Sequence, residues 1–251
     1  MLDYIWSKNV FQGFVGNFYF WVCLGFLGSA LFNRRKVYKL LGLNKHKKIT
    51  IYFSNTKVKN AIDTDGNHNV YSGNAIPQNE ALEIPGLATL LGIDHGFLLR
   101  FFKFWTFQKI IFSFELSPEN KIQAEADKLS NLISIGGPGY NWMTRYFLDA
   151  NKTKLKFKFS PVDIKIVDSS NNELAIASSD YDYGILEKFY DNSRSVVIAA
   201  GFHINGTRGA LYYLINPWRE LPTGEFALLI KFPNPSKDGE GYKKPLEVRI
   251  L

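Results

Sequence analysis

The chain has one cysteine, Cys23, and two methionines among 251 residues. A single thiol excludes an intrachain disulfide and a zinc site built from cysteines. Histidine is also scarce, at four residues. There is no HExxH pair and no Gly-x-Ser-x-Gly elbow, so zinc-dependent hydrolysis and α/β-hydrolase chemistry have no support, and no metal site is expected. What the chain does have is apolar surface. Apolar residues make up 46% and aromatics 16%, which excludes a disordered chain and suffices for a sizeable core.

Acidic residues are missing from one stretch. Arg34, Arg35, Lys36, Lys39, Lys45, Lys47 and Lys48 occur with no Asp or Glu among them. Removing these seven cations from the 30 Lys and Arg leaves 23, equal to the 23 Asp and Glu. The net charge of +7 is therefore local. It is not the footprint of a nucleic-acid-binding face, and no nucleic acid is expected as a partner.

Charge is absent altogether from residues 9–33. As a helix, residues 10–32 would extend roughly 35 Å, enough for a hydrocarbon core of about 30 Å. A cleaved signal peptide fits less well, because residues 1–9 lack a basic n-region; a buried core helix is the other reading. The reading adopted is a single membrane span, with Tyr4 and Trp6 at headgroup level and the following cations keeping the C-terminal side cytoplasmic. The expected localisation is the cell membrane, single-pass. Gly25 and Ser29 form a small-xxx-small pair that permits helix association and hence a homo-oligomer. The expected organisation is an anchor over residues 1–36, a basic juxtamembrane linker over 37–48, and a cytosolic ligand-binding domain over 49–251.

Within that domain, residues 49–54 read as a buried strand and residues 57–77 as a long polar connection. Residues 78–91 have helical spacing that Pro85 must bend or break. Residues 97–105 read as an amphipathic helix, either packed on the sheet or touching lipid, and residues 109–114 as a strand. A helix over 117–129 precedes a strand at 131–135, a glycine loop and a helix over 142–150. A strand at 195–200, a second glycine loop and a helix over 207–216 repeat the pattern. Residues 154–160, 162–168 and 173–178 alternate as edge or hairpin strands, with Asn171-Asn172 as a turn. Strands at 226–232 and 246–251 close the chain. Strand, glycine loop and helix occurring twice predict an α/β fold: a Rossmann-like, mostly parallel sheet with helices on both faces and an antiparallel edge or hairpin, binding ligands beyond the strand carboxyl ends.

The first loop, Gly136-Gly137-Pro138-Gly139-Tyr140-Asn141, lets backbone approach a ligand, and the helix after it offers N–H groups to an anion. Thr144 and Arg145 lie in that helix's first turn. The alternative is that these glycines only make a sharp turn. The second loop holds Gly201, His203, Gly206, Thr207 and Arg208, with Thr207 as the expected N-cap and Arg208 at the helix's positive end. Thr-Arg stands where a P-loop needs Lys-Ser/Thr, which excludes nucleoside-triphosphate hydrolysis of that type. Neither loop matches G-x-G-x-x-G, so the standard dinucleotide fingerprint is absent. Ser54, Asn55 and Thr56 follow the first strand. Asp180-Tyr181-Asp182-Tyr183-Gly184 offers carboxylates and rings, with Asp182 and Tyr183 as ligand contacts; Asp182 and His203 are the acid/base candidates.

Residues 135–141, Asp182-Tyr183-Gly184 and residues 201–210, in this order after the 49–54 strand, resemble an uncharacterised prokaryotic α/β group. Its pattern is GGP-x-x-N … DYG … G-x-x-x-x-GT-x-x-A, over about the last two-thirds of the chain. The resemblance implies a fold but no activity. An anchor on a Rossmann-like domain is also similar in plan to membrane-anchored nucleotide-sensing effectors of bacterial defence. The leading expectation is a membrane-tethered cytosolic sensor binding a small anionic ligand, a nucleotide or derivative, with no other cofactor. The alternatives are a nucleotide-processing enzyme that cleaves a glycosidic bond and a structural subunit of a membrane complex.

Overall fold

The computed structural model describes residues 36–43, 47–54, 56–58, 73–75, 82–91, 110–114, 130–149, 152–159, 164–176, 178–233 and 241–251. In chain order the strands are β1 (Ile49–Phe53), β2 (Thr56–Val58), β3 (Gly73–Ala75), β4 (Ile110–Phe114), β5 (Asn131–Ile135), β6 (Leu155–Phe159), β7 (Ile164–Asp168), β8 (Glu173–Ile176), β9 (Tyr181–Asp191), β10 (Arg194–Gly201), β11 (Phe226–Pro233) and β12 (Glu247–Ile250). The helices with both ends described are α1 (Ile84–Leu90), α2 (Trp142–Asp149) and α3 (Ile204–Ile215). Pro85 lies in the first turn of α1. There its missing N–H costs nothing, so it opens a helix instead of breaking one.

The main sheet has seven strands in the order β12-β11-β9-β10-β5-β1-β4. β4, β1, β5 and β10 are mutually parallel. β9, β11 and β12 add on by antiparallel pairing. Alternate residues of a strand point to opposite faces. Ile49, Ile51, Phe53, Ile133, Val197 and Leu228 face α1, α3 and residues 37–43. Tyr52, Leu132, Val196, Ile198 and Leu229 face α2 and the separate β6-β7-β8 sheet.

This corrects the expected fold. Half of the six strand pairings are antiparallel, so the sheet is mixed, not mostly parallel. One face is covered largely by a second, antiparallel sheet where Rossmann-like helices were expected. The strands over 154–178 were expected at an edge or in a hairpin, and they form a layer of their own. β9 was not expected at all. It is an eleven-residue strand joined to β10 by Asn192 and Ser193, both at positive φ (48° and 71°). That backbone is the two-residue turn that suits the twist of a hairpin.

The membrane localisation is also corrected. Among the described residues no helix is long and apolar enough to cross a membrane. The stretch at 10–32 that carried the expectation lies outside the described residues, as do residues 97–105 and 117–129. Residues 36–43 of the basic segment pack their apolar side chains on the sheet, with Lys36 and Lys39 exposed. Val37, Leu40, Leu41 and Leu43 are buried. The buried Lys188 ammonium donates to the Leu40 carbonyl (2.5 Å), and the Ser195 hydroxyl donates to that of Leu41. Cations at carbonyls left open by a helix end are favourable.

The two sheets are tied by Glu187 of β9, 1% exposed. Its carboxylate accepts the N–H groups of Lys154 (2.5 Å) and Leu155 (3.2 Å) at the start of β6. Burial pushes the Glu187 carboxyl up to about 7 from an ordinary 4.5, against the pull of those two bonds. An acid whose pKa rises on folding keeps its proton longer in the folded state. Its contribution is full at low pH and is lost as pH rises from the unfolded value through the folded one, on the order of 3 kcal/mol across that window. Denaturant titrations at about pH 5 and about pH 7.5 should show the wild type losing more stability than Glu187→Gln. Equal losses would remove Glu187 as the source.

Candidate functional site

β1, β5 and β10 deliver their carboxyl ends to one rim of the sheet, and the antiparallel β9 begins there. Ser54 and Thr56 follow β1, the first glycine loop follows β5, and Gly201 to His203 follow β10. Asp182 and Tyr183 open β9. The sequence-predicted residues therefore gather along one edge, except that Asn55 lies outside the described residues. After β1 the chain enters β2 and β3 and reaches α1, on one face, only at Ile84; after β5 it enters α2 on the other face. In sheets with parallel strands, ligands bind at the carboxyl ends of the strands, which makes this rim the candidate site.

The polar residues of the first loop are taken up in building that rim. Asn141 is fully buried. Its Oδ1 accepts the N–H groups of Met143 (2.9 Å) and Thr144 (3.1 Å), capping α2. Its Nδ2 donates to the carbonyls of Ile135 (2.7 Å) and Tyr52 (3.3 Å), tying β5 to β1. The Thr144 hydroxyl is buried against that of Ser134 at 2.8 Å, and Ser54 is buried too. These side chains shape the rim from beneath. Arg145 is exposed in the first turn of α2.

The three loop glycines differ. Gly136 has φ 118°, a backbone that side chains oppose. A Cβ on Gly137 would lie 2.8 Å from the Gly201 carbonyl, so the β5 and β10 ends touch there. Gly139 is exposed, and among the described residues a Cβ there would meet nothing within 4 Å.

The second loop is used differently from the reading given above. α3 begins at Ile204 with His203 as its capping position, so Thr207 lies within the first turn and is not the N-cap. The cap comes from another strand. Asp182, with no exposed surface, accepts the N–H groups of Gly206 (2.6 Å), His203 (3.2 Å) and Tyr183 (2.8 Å). Burial raises its pKa, opposed by those donors and by the charge of His203. The helix start presses directly on the sheet, and a Cβ on Gly184 or Gly201 would overlap the backbone of Gly206 or Thr207. His203 is exposed, but Asp182 holds its backbone N–H and forms no acid/base pair through it. Arg208 pairs with Glu83 at 2.9 Å and stacks on Tyr242, its guanidinium carbon 3.8 Å from the ring centroid. Its charge is thus matched inside the fold.

Sequence reasoning gave the rings of Tyr181 and Tyr183 but missed what packs against them, Phe202 with Phe157 and Lys231. Phe202 stands edge-on to Tyr183 (5.9 Å between centroids) and to Phe157 (5.7 Å). The Lys231 ammonium lies 3.6 Å from the Tyr181 ring centroid. Only the pairing of β9 with β11 sets Lys231 opposite Tyr183, and local sequence carries no sign of it. Comparison of the chain with protein-family models, with curated proteins and with solved structures finds no match.

Proposed function

We propose that this chain is a binding domain whose ligand is small and anionic, a nucleotide or derivative, held at the carboxyl ends of β1 and β5. The observation that carries the reading is Gly139. The missing side chains of Gly136 and Gly137 are required by backbone conformation and by packing, whereas among the described residues nothing lies within 4 Å of where a Cβ at 139 would be. A glycine in open space, just ahead of α2, suits close approach from outside. Arg145 supplies the charge, and the Phe202–Tyr183 pair supplies a face for a planar group. The reading is of a binder because Asp182, which an enzyme cleaving a glycosidic bond would need as acid or base, is turned inward onto three N–H groups.

The test is thermal melting of the full chain against mono-, di- and cyclic nucleotides, with mass spectrometry for products. A saturable rise in melting temperature without product is expected, worth about 2.7 kcal/mol at a hundredfold excess over Kd. Gly139→Leu and Arg145→Ala should each abolish it while leaving unliganded stability within about 0.5 kcal/mol, as surface changes do. A flat response across the panel, or one that both variants retain, overturns the proposal. Product formation would move the reading to an enzyme.

A further inference from the structure

We infer that β12 is a dimerisation edge, pairing antiparallel with β12 of a second copy about a two-fold axis at Val248. β12 ends the order of the seven-stranded sheet, with β11 its one neighbour among the described residues. A strand edge left in this position is a template for another strand. The register against β11 runs from Glu247 opposite Lys231 to Ile250 opposite Leu228, and the Leu251 N–H continues it to the Ala227 carbonyl (2.9 Å). In an antiparallel ladder residues alternate in the direction of their peptide groups. Glu247, Arg249 and Leu251 therefore turn theirs toward β11, as does the Leu246 N–H, onto the Lys231 carbonyl (2.8 Å), and Val248 and Ile250 turn theirs outward.

The side chains then select the partner. Leu246, Glu247, Val248, Arg249 and Ile250 form a run that is complementary to its own reverse. With Val248 opposite Val248 of the second copy, each Glu247 faces an Arg249, and the Leu246 and Ile250 side chains meet at the ends of the ladder, where the Leu246 N–H is already held by β11. Sliding the pairing by two residues either way, the next steps that keep outward peptide groups opposed, sets Glu247 against Glu247 or Arg249 against Arg249. Like charges directly opposite are destabilising and unlike ones stabilising, so charge fixes one register. The two-fold form is the usual closed arrangement of identical chains. The residues that would meet are open now. Leu246 is 57% and Ile250 68% exposed, and Glu247 and Arg249 are 43% and 49% exposed around their own ion pair. Pro245 limits the edge just ahead of Leu246, and beyond it the edge carries a matched pair of charges and two exposed aliphatic residues.

So short an interface belongs to the weak, concentration-dependent class, and the test is sedimentation velocity of the full chain over a dilution series. The expected result is a monomer–dimer equilibrium. Glu247→Arg and Arg249→Glu, each on the surface, should keep the wild-type melting curve and each weaken the dimer at least tenfold. Mixing the two variants should restore it. One variant then carries arginine at both positions and the other glutamate at both, so every facing pair is of opposite charge. A chain that is monomeric at every concentration overturns the inference and leaves the edge to a different occupant. A dimer that survives both single changes, or that mixing does not restore, overturns it equally.

Discussion

Asp182→Ala is expected to cost about 3–5 kcal/mol, because it leaves three backbone N–H groups at the start of α3 and β9 without their shared acceptor. The carboxylate has no exposed surface, so water cannot replace it without opening the contact between helix and sheet. Asp182→Asn keeps one acceptor oxygen and should lose about half as much. The measurement is the denaturant midpoint, at constant slope, of each variant against the wild type. A group whose only role was to exchange protons with a substrate would behave differently: Asp182→Asn would leave the midpoint where it was. The experiment thus separates a cap from an acid/base residue without any ligand in hand.

Arg194→Ala should be of similar size, about 3–5 kcal/mol, since it breaks a buried ion pair from one side. Arg194 is 1% exposed. Its Nη2 and Nε reach the same Asp191 oxygen at 2.7 and 3.1 Å, and Lys152 holds the other oxygen at 2.6 Å. Burial pushes the Asp191 carboxyl up, but Lys152 and Arg194 together hold it below its ordinary value. The guanidinium also covers the Phe147 ring, 5.5 Å from its centroid. Replacing Asp191 and Arg194 together, by Asn and Leu, should cost clearly less than the sum of the single changes, because no buried charge is then left uncompensated. An additive double variant would show that the two residues do not act as a pair.

The strands that sequence made legible are those whose residues agree with their surroundings. β1 and β5 are buried throughout, and their β-branched and aliphatic runs say so. β9 stayed illegible for the opposite reason. It is buried along most of its length yet carries Asp182, Glu187, Lys188 and Asp191, a pattern that reads as surface. Each of those charges is matched by a group far off in sequence: the start of α3, the start of β6, the Leu40 carbonyl, and Lys152. Burial without apolarity is visible only once the partners are placed. The candidate site divides in the same way. Spacing sufficed to bring the two glycine loops to one rim, because strand, turn and helix are local. The roles did not follow, since a glycine that admits a helix onto a sheet looks the same in sequence as one that admits a ligand. Arg208 is the clearest case. At a helix's positive end it reads as an anion hook, and its actual partner, Glu83, lies 125 residues away.

The docking of residues 36–43 sets a boundary for anyone trimming the chain. A version begun at residue 45 would look tidy, since it starts just ahead of the first strand. It would bare the face that Val37, Leu40, Leu41 and Leu43 cover. It would also leave the Lys188 ammonium and the Ser195 hydroxyl facing the space their carbonyl acceptors had filled. The smallest independently folding unit therefore begins no later than residue 36, inside the basic stretch and not after it.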